Sequence, residues 1–188
     1  MSNKTALVTG ASDGIGAEFL EILAGRSYDL ILVARREEKL NQLAERVSRE
    51  FGVDCTVMVS DLSEPNAAQN LFQRIEERGL QVNFLINNAG LLHNGFFTKL
   101  SLEAQEKMIH VNVLALTALT HLYAAKMSSD GGGHILNVAS LAGWMAIPNQ
   151  NVYAASKAYV VSFSQALSNE MIAANSGVQV TALCPGYT

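Results

Sequence analysis

The chain has 188 residues, 49% hydrophobic and 16% charged, enough for one substantial core and short for two. A formal charge of −4 and a pI near 5.5, with no run of basic residues, exclude an electrostatic case for nucleic acid or an acidic membrane as partner. The first residues enter an apolar strand with no signal-peptide core, and His110, Asn112 and His121 interrupt the most apolar window, so no membrane span and a cytoplasmic setting are expected. Cys55 and Cys184 sit in strand-like segments without metal-ligand spacing and are expected as buried free thiols. His93 also lacks a partner at ligand spacing, so no metal is expected.

Along the chain, β-branched and apolar runs predict strands at 5–9, 28–34, 53–59, 82–86, 134–139 and 178–183. Helical patterning predicts helices at about 14–25, 36–50, 64–78, 101–127 and 152–174. In the third of these, Ser63 is placed to cap and Pro65 to occupy the first turn. The β-α alternation predicts a single α/β domain over residues 1–188, with a parallel sheet covered on both faces.

The first strand-to-helix junction reads Thr9-Gly10-Ala11-Ser12-Asp13-Gly14-Ile15-Gly16. Glycine allows tight turns and close backbone approach, and a helix N-terminus favours an anion, so residues 10 and 12–16 form a candidate pyrophosphate loop. The spacing is not that of the commoner dinucleotide fingerprint, and no Gly-Lys-Ser/Thr ending marks a triphosphate loop. After the second strand stand Arg35 and Arg36, where an NAD site usually has a carboxylate. A guanidinium fork suits a 2′-phosphate, with Arg35 the first choice and Arg36 the second, so NADP(H) is expected over NAD(H), although Asp13 opposes a phosphate nearby.

Tyr153 and Lys157 lie four residues apart at a helix start, on one face. Ser140 and Asn87-Asn88-Ala89-Gly90 end strands on the same sheet edge, and Asn112 lies in an otherwise apolar helix. Ser140 is also placed to cap the following segment, and Asn112 to be a satisfied buried amide. Leu91, Leu92, Phe96, Trp144, Met145 and Ile147 offer an apolar lining suited to a ketone, aldehyde or 3-oxoacyl substrate.

Together, the glycine loop, Asp61-Leu62, Asn87-Asn88-Ala89-Gly90, Asn112, Ser140, Tyr153-x-x-x-Lys157 and Pro185-Gly186 resemble the classical short-chain dehydrogenase/reductase family, in its order and over nearly the whole chain. The resemblance implies a Rossmann-type doubly wound sheet with strand order 3-2-1-4-5-6. It implies Tyr153 as general acid/base and Lys157 as holder of the nicotinamide ribose and activator of the tyrosine. Ser140 would position the carbonyl, and Asn112 would fix a water in a proton relay. Asp61 and Leu62 would border the adenine, Asn88, Ala89 and Gly90 would support the cofactor, and Pro185 and Gly186 would border the nicotinamide. A phenol titrates near 10, so a tyrosine working near neutrality needs a cation beside it. An NADP-binding sensor or scaffold is the alternative function, and it would need neither Tyr153 nor Ser140.

Helices 101–127 and 152–174 are apolar around much of their circumference, at Val113, Leu116, Leu119, Leu122, Tyr159, Val160, Phe163 and Leu167. The family pairs these helices, so a homodimer or homotetramer is expected. Its members also continue past Pro-Gly into a substrate lid and a seventh strand. The chain is therefore expected to be a C-terminal truncation of a longer enzyme, possessing no lid of its own, with Thr188 too close to Pro185-Gly186 to serve as the family's nicotinamide-contacting threonine.

Overall fold

The computed structural model describes residues 4–186, so the expectation about Thr188 lies outside the described residues. Short apolar strands alternate with helices: β1 Thr5–Thr9, α1 Gly14–Ala24, β2 Asp29–Ala34, α2 Glu37–Phe51, β3 Cys55–Val59, α3 Ala67–Glu77 and β4 Phe84–Asn87. Then follow α4 Leu102–Ile109, a π-helical segment His110–Ala115, α5 Leu116–Ser129, β5 Gly133–Val138, a 3-10 turn Leu141–Trp144, α6 Asn151–Ala173 and β6 Val178–Leu183. The strands form one sheet in the order β3-β2-β1-β4-β5-β6, parallel throughout, with Val8 of β1 in register with Leu32 of β2 and Ile86 of β4.

Alternation along the strands builds two cores. Leu7, Ile31, Leu85 and Ile135 face α3 and α5, while Ala6, Val8, Leu30 and Leu32 face α1 and α2 through Leu20, Leu23, Leu40 and Val47. Each such leucine or isoleucine, fully buried, contributes about 1.5–3 kcal/mol. On the α1 and α2 side the far strands are less covered: His134, Gln179, Thr181 and Leu183 are exposed.

Three expectations are corrected. The third helix starts at Ala67, with Asn66 at φ 59 before it. Ser63 does not cap it: the cap position is Asn66, three residues further on, and Ser63 lies in a preceding turn in which its N–H and hydroxyl both donate to Asp61 Oδ1, at 2.9 and 2.7 Å. The long fourth helix is not regular: residues 110–115 widen into π geometry around Asn112, whose amide reaches out of the helix to the Leu91 backbone. Of the apolar residues around the circumference of α5 and α6, Leu116, Leu119 and Val160 belong to the core. The α4–α5 run is apolar enough to cross a membrane by length and composition, but half of its most apolar window is buried within the fold.

Both cysteines are free, half-buried rather than buried, and they stand at β3 and just past β6, the opposite edges of the sheet. Five strand spacings, roughly 24 Å, separate them. Burial, with Asp29 and Asp54 adding to it, pushes the Cys55 thiol up to about 11.

The tightest packing lies between α1 and the ends of β1 and β4. A Cβ on Gly16 would stand 2.5 Å from Asn88 Nδ2 and closer still to the Gly10 carbonyl oxygen. Gly16→Ala is expected to destabilise the protein by about 1–3 kcal/mol, seen as a lower urea midpoint; an unchanged midpoint would show that this contact relaxes without cost.

Candidate functional site

β1 is flanked by β2 on one side and β4 on the other, so the chain order reverses there and a crevice opens beyond the carboxyl ends of the strands. A cleft of about 410 Å³ fills this crevice. Its β1–β3 end is lined by Gly10, Ser12, Asp13, Ile15, Arg35, Arg36, Asp61 and Leu62. Asn88, Ala89 and Gly90 line its middle, and Ser140, Tyr153, Lys157, Pro185 and Gly186 its β5–β6 end. Of the residues expected at the site, Gly14, Gly16 and Asn112 are not part of the lining: Gly14 is exposed beside it, and Gly16 and Asn112 are buried. Leu91 and Leu92 line the cleft, whereas Phe96, Trp144, Met145 and Ile147 do not.

The ends of β1 and β4 are braced together. Asn88 Nδ2 donates to the Thr9 and Gly10 carbonyls at 3.0 and 3.2 Å. Thr9 Oγ1 accepts from the N–H groups of Asn88 and Ala89 at 3.0 Å each and donates to the Ile86 carbonyl at 3.3 Å. Gly10 sits at φ +66 and a Cβ there would come 2.9 Å from Ala89 Cα, so the turn needs glycine on both counts.

At the β2 end the charges are sorted by geometry. Asp13 caps α1, accepting from the Gly14 N–H at 3.1 Å, and it is paired with Arg36 at 3.2 Å and Lys39 at 3.5 Å. Arg36 beside it, with the Gly14 N–H and Lys39, holds the Asp13 carboxyl below its ordinary value. Arg36 also donates to Ser12 Oγ at 3.0 Å. Arg35 instead faces Asp61, 3.7 Å away, with 62% of its side chain exposed. Burial pushes the Asp61 carboxyl up, but the Ser63 N–H and hydroxyl and the charge of Arg35 outweigh it and hold the group low.

At the other end, Ser140 Oγ accepts from the Ala142 N–H at 3.1 Å and so caps the 3-10 turn. That bond uses an oxygen lone pair and leaves the hydroxyl proton available to a ligand. The Pro185 carbonyl accepts from the Leu141 N–H at 3.0 Å, which draws Pro185-Gly186 to the cleft wall. The turn lies directly on α6: a Cβ on Gly143 would be 2.8 Å from the Lys157 carbonyl oxygen. Asn112 is 1% exposed, its Oδ1 accepting from Leu91 N–H at 2.8 Å and its Nδ2 donating to the Leu91 carbonyl and to Ser156 Oγ at 2.9 and 3.0 Å. Both Nδ2 protons are therefore engaged and Oδ1 already has a donor, which leaves the main chain of the π segment as the better place for a water.

Lys157 is 4% exposed, donates to the Val138 carbonyl at 2.7 Å, and stands 5.7 Å from the centroid of the Tyr153 ring. Burial pulls its ammonium down from 10.5 to about 8.

Thr9 stood in the glycine-loop motif without a role of its own, and Ser156 and the Val138 carbonyl were not singled out in the sequence. A polar residue closing an apolar strand signals the first, and the serine inside Tyr153-Ala154-Ala155-Ser156-Lys157 the second. A backbone carbonyl leaves no sequence signal.

Holding a buried charge at this cost, on the order of 3 kcal/mol for the depression, sets a pH signature. Between pH 8 and 10.5 the unfolded chain keeps a proton that folded Lys157 has released, so the parent gains stability as pH rises through that window. Lys157→Met does not titrate there. Its unfolding free energy relative to the parent is expected to be highest at pH 7 and to fall by up to about 3 kcal/mol by pH 10.5. A difference flat with pH would contradict a buried, charged Lys157.

The same arrangement recurs in known proteins. A short chain dehydrogenase family model matches residues 4–188. An uncharacterized oxidoreductase of Staphylococcus saprophyticus is 33% identical over 186 residues, 99% of this chain and 79% of that protein. The very-long-chain 3-oxoacyl-CoA reductase of Anas platyrhynchos is 34% identical over 97% of this chain, which spans 59% of that protein's length. Among solved structures, a short-chain dehydrogenase from Sphingobium yanoikuyae in complex with NADPH superposes with a TM-score of 0.92 at 37% identity, covering 98% of this chain and 71% of its own. With the cleft at the β1/β4 reversal, the Tyr153-Lys157 helix and this match along its length, the chain belongs to the short chain dehydrogenase family.

Proposed function

We propose that residues 1–188 form the dinucleotide-binding and catalytic domain of an NADP-dependent oxidoreductase that moves hydride between nicotinamide and a carbonyl or alcohol substrate. The observation that carries this reading is the two-ended cleft, with two arginines at one end and Ser140, Tyr153 and the buried Lys157 at the other. The N-terminus of α1 suits a pyrophosphate, and its first residue, Gly14, has no heavy atom within 4 Å of where a Cβ would stand. Ile15 offers an N–H group of that first turn, while the Gly14 N–H is held by Asp13. Asp61 and Leu62 border the adenine, Asn88, Ala89 and Gly90 the middle, and Pro185 and Gly186 the nicotinamide. Lys157 holds the nicotinamide ribose.

The 2′-phosphate falls first to Arg35. Arg36 is already tied to Ser12 and Asp13, whereas the largely exposed Arg35 meets Asp61 at 3.7 Å, beyond hydrogen-bond distance. The carboxylate that would oppose a phosphate, Asp13, is balanced by Arg36 and Lys39. NADP(H) is thus favoured over NAD(H), in keeping with the NADPH-bound Sphingobium relative.

When bound, the nicotinamide dinucleotide supplies or accepts the hydride. Ser140 donates its free hydroxyl proton to the substrate oxygen and stabilises the charge developing there. Tyr153 Oη gives that oxygen its proton in reduction and removes it in oxidation. The buried ammonium of Lys157, 5.7 Å from the centroid of the Tyr153 ring, places a positive charge beside the proton donor. Asn112 fixes a relay water through its main chain, since its amide is occupied. In a cytoplasmic setting, NADPH drives reduction.

Leu91 and Leu92 on the cleft wall, with Trp144 and Met145 exposed on and beside the adjoining turn, favour an apolar ketone, aldehyde or 3-oxoacyl substrate. The exposed Leu102, Ile109, Leu114, Tyr159 and Ile172 on the α4–α5 and α6 faces favour a homodimer or homotetramer.

Tyr153→Phe decides the mechanism. Ketone-dependent NADPH oxidation is expected to fall by about 10²–10⁴-fold while NADPH binding is kept; parent-like turnover would refute Tyr153 as the proton donor.

A further inference from the structure

Asn112 and Tyr153 sit on different helices, and one side chain joins them. Ser156 Oγ donates to the Tyr153 carbonyl at 2.7 Å and accepts from Asn112 Nδ2 at 3.0 Å. Ser156 is 4% exposed. A serine hydroxyl has one proton, and here the carbonyl three residues back takes it. Its oxygen therefore presents only lone pairs to Asn112. That fixes which end of the Asn112 amide must face Ser156: the Nδ2 end. The opposite end, Oδ1, then meets the Leu91 N–H at 2.8 Å, and the second Nδ2 proton meets the Leu91 carbonyl at 2.9 Å.

The bonds form a continuous line from the first turn of α6, through the π segment, to the loop after β4. Both its ends matter to the cleft, since Tyr153 and Leu91 line it. Neither Ser156 nor Asn112 does. The π geometry lies in the middle of the line, at His110–Ala115, and contains Asn112.

We propose that Ser156 is a positioning residue that holds the Tyr153 turn in register with the Leu91 loop by orienting the Asn112 amide. This rests on the oxidoreductase reading above. Removing the hydroxyl leaves one Nδ2 proton of Asn112 without its acceptor in a dry place. The tyrosine and the cleft wall are then free to shift relative to one another. A displacement of about 1 Å in a catalytic group costs roughly 100-fold in rate.

The test uses Ser156→Ala, Ser156→Cys, which fills the space with a poor hydrogen-bonding group, and Ser156→Thr, which keeps the hydroxyl. For Ala and Cys, kcat with an apolar ketone is expected to drop roughly 10- to 100-fold, with KM for NADPH nearly unchanged, and Thr is expected to recover most of the loss. In the protein without cofactor, hydrogen exchange at the Leu91 amide is expected to be faster in Ala and Cys than in the parent or Thr. Parent-like kcat and Leu91 exchange in both Ala and Cys would overturn the proposal. So would a loss shared equally by kcat, NADPH binding and thermal midpoint that Thr does not recover. If the parent itself binds NADPH without turnover, the oxidoreductase reading fails, and the Leu91 exchange rates alone still decide whether Ser156 orients Asn112.

Discussion

The brace between Thr9 and Asn88 is the constraint on which the remaining site depends. β1 and β4 are neighbours in space but lie 75 or more residues apart in the chain, and the brace ties their carboxyl ends through bonds of 3.0–3.3 Å. Because Asn88 donates to the Gly10 carbonyl, it also fixes the loop that leads into α1. Gly16 must then press against the same amide. Cleft shape, loop conformation and helix position are in this way set by one asparagine and one threonine, before any ligand arrives.

Polar groups buried in the far half of the protein do related work. Asn87 donates to Thr120 and Asn137 at 3.0 and 2.9 Å, and Asn137 donates to Ser164 at 3.0 Å. All four are at most 2% exposed. This network pins α5 and α6 to β4 and β5 by bonds that specify register, where apolar contact alone would allow sliding. Lys157 and Ser156 belong to the same helix as Ser164, one or two turns nearer the cleft. The helix that carries Tyr153 is thus held along its length by polar contacts, and each would be costly to leave unmade.

Much of this was legible in the sequence. The six strands and their alternation with helices followed from apolar runs, because parallel strands buried on both faces read as continuous apolar segments, and their order followed from the family resemblance that the motifs carry. The residues brought together in the cleft were named by motif, and the opposition of Arg35 to Arg36 was visible as a choice. What escaped has a physical explanation in each case. Ser63 and Pro65 look like a helix start, but Asp61, two residues upstream, takes both donors of Ser63 in a local turn, and the helix begins only after Asn66. His110–Ala115 carries a helical pattern in either α or π geometry, and the break comes from Leu91, some 20 residues away, which no local periodicity reports. Which apolar residues of α5 and α6 are core, as Leu116, Leu119 and Val160 are, was not separable in the sequence, because the sheet's reach over these helices is a three-dimensional fact.

The central claim, that the crevice at the β1/β4 reversal binds NADP(H), can be tested with the protein's own chromophore. The chain has one tryptophan, Trp144, in the turn that Ser140 caps at the nicotinamide end of the cleft. Exciting Trp144 while NADPH is added is predicted to quench its emission and sensitise that of the nicotinamide, saturating at one cofactor per chain and at lower concentration than NADH. No energy transfer at saturating NADPH, or tighter binding of NADH, would contradict the account.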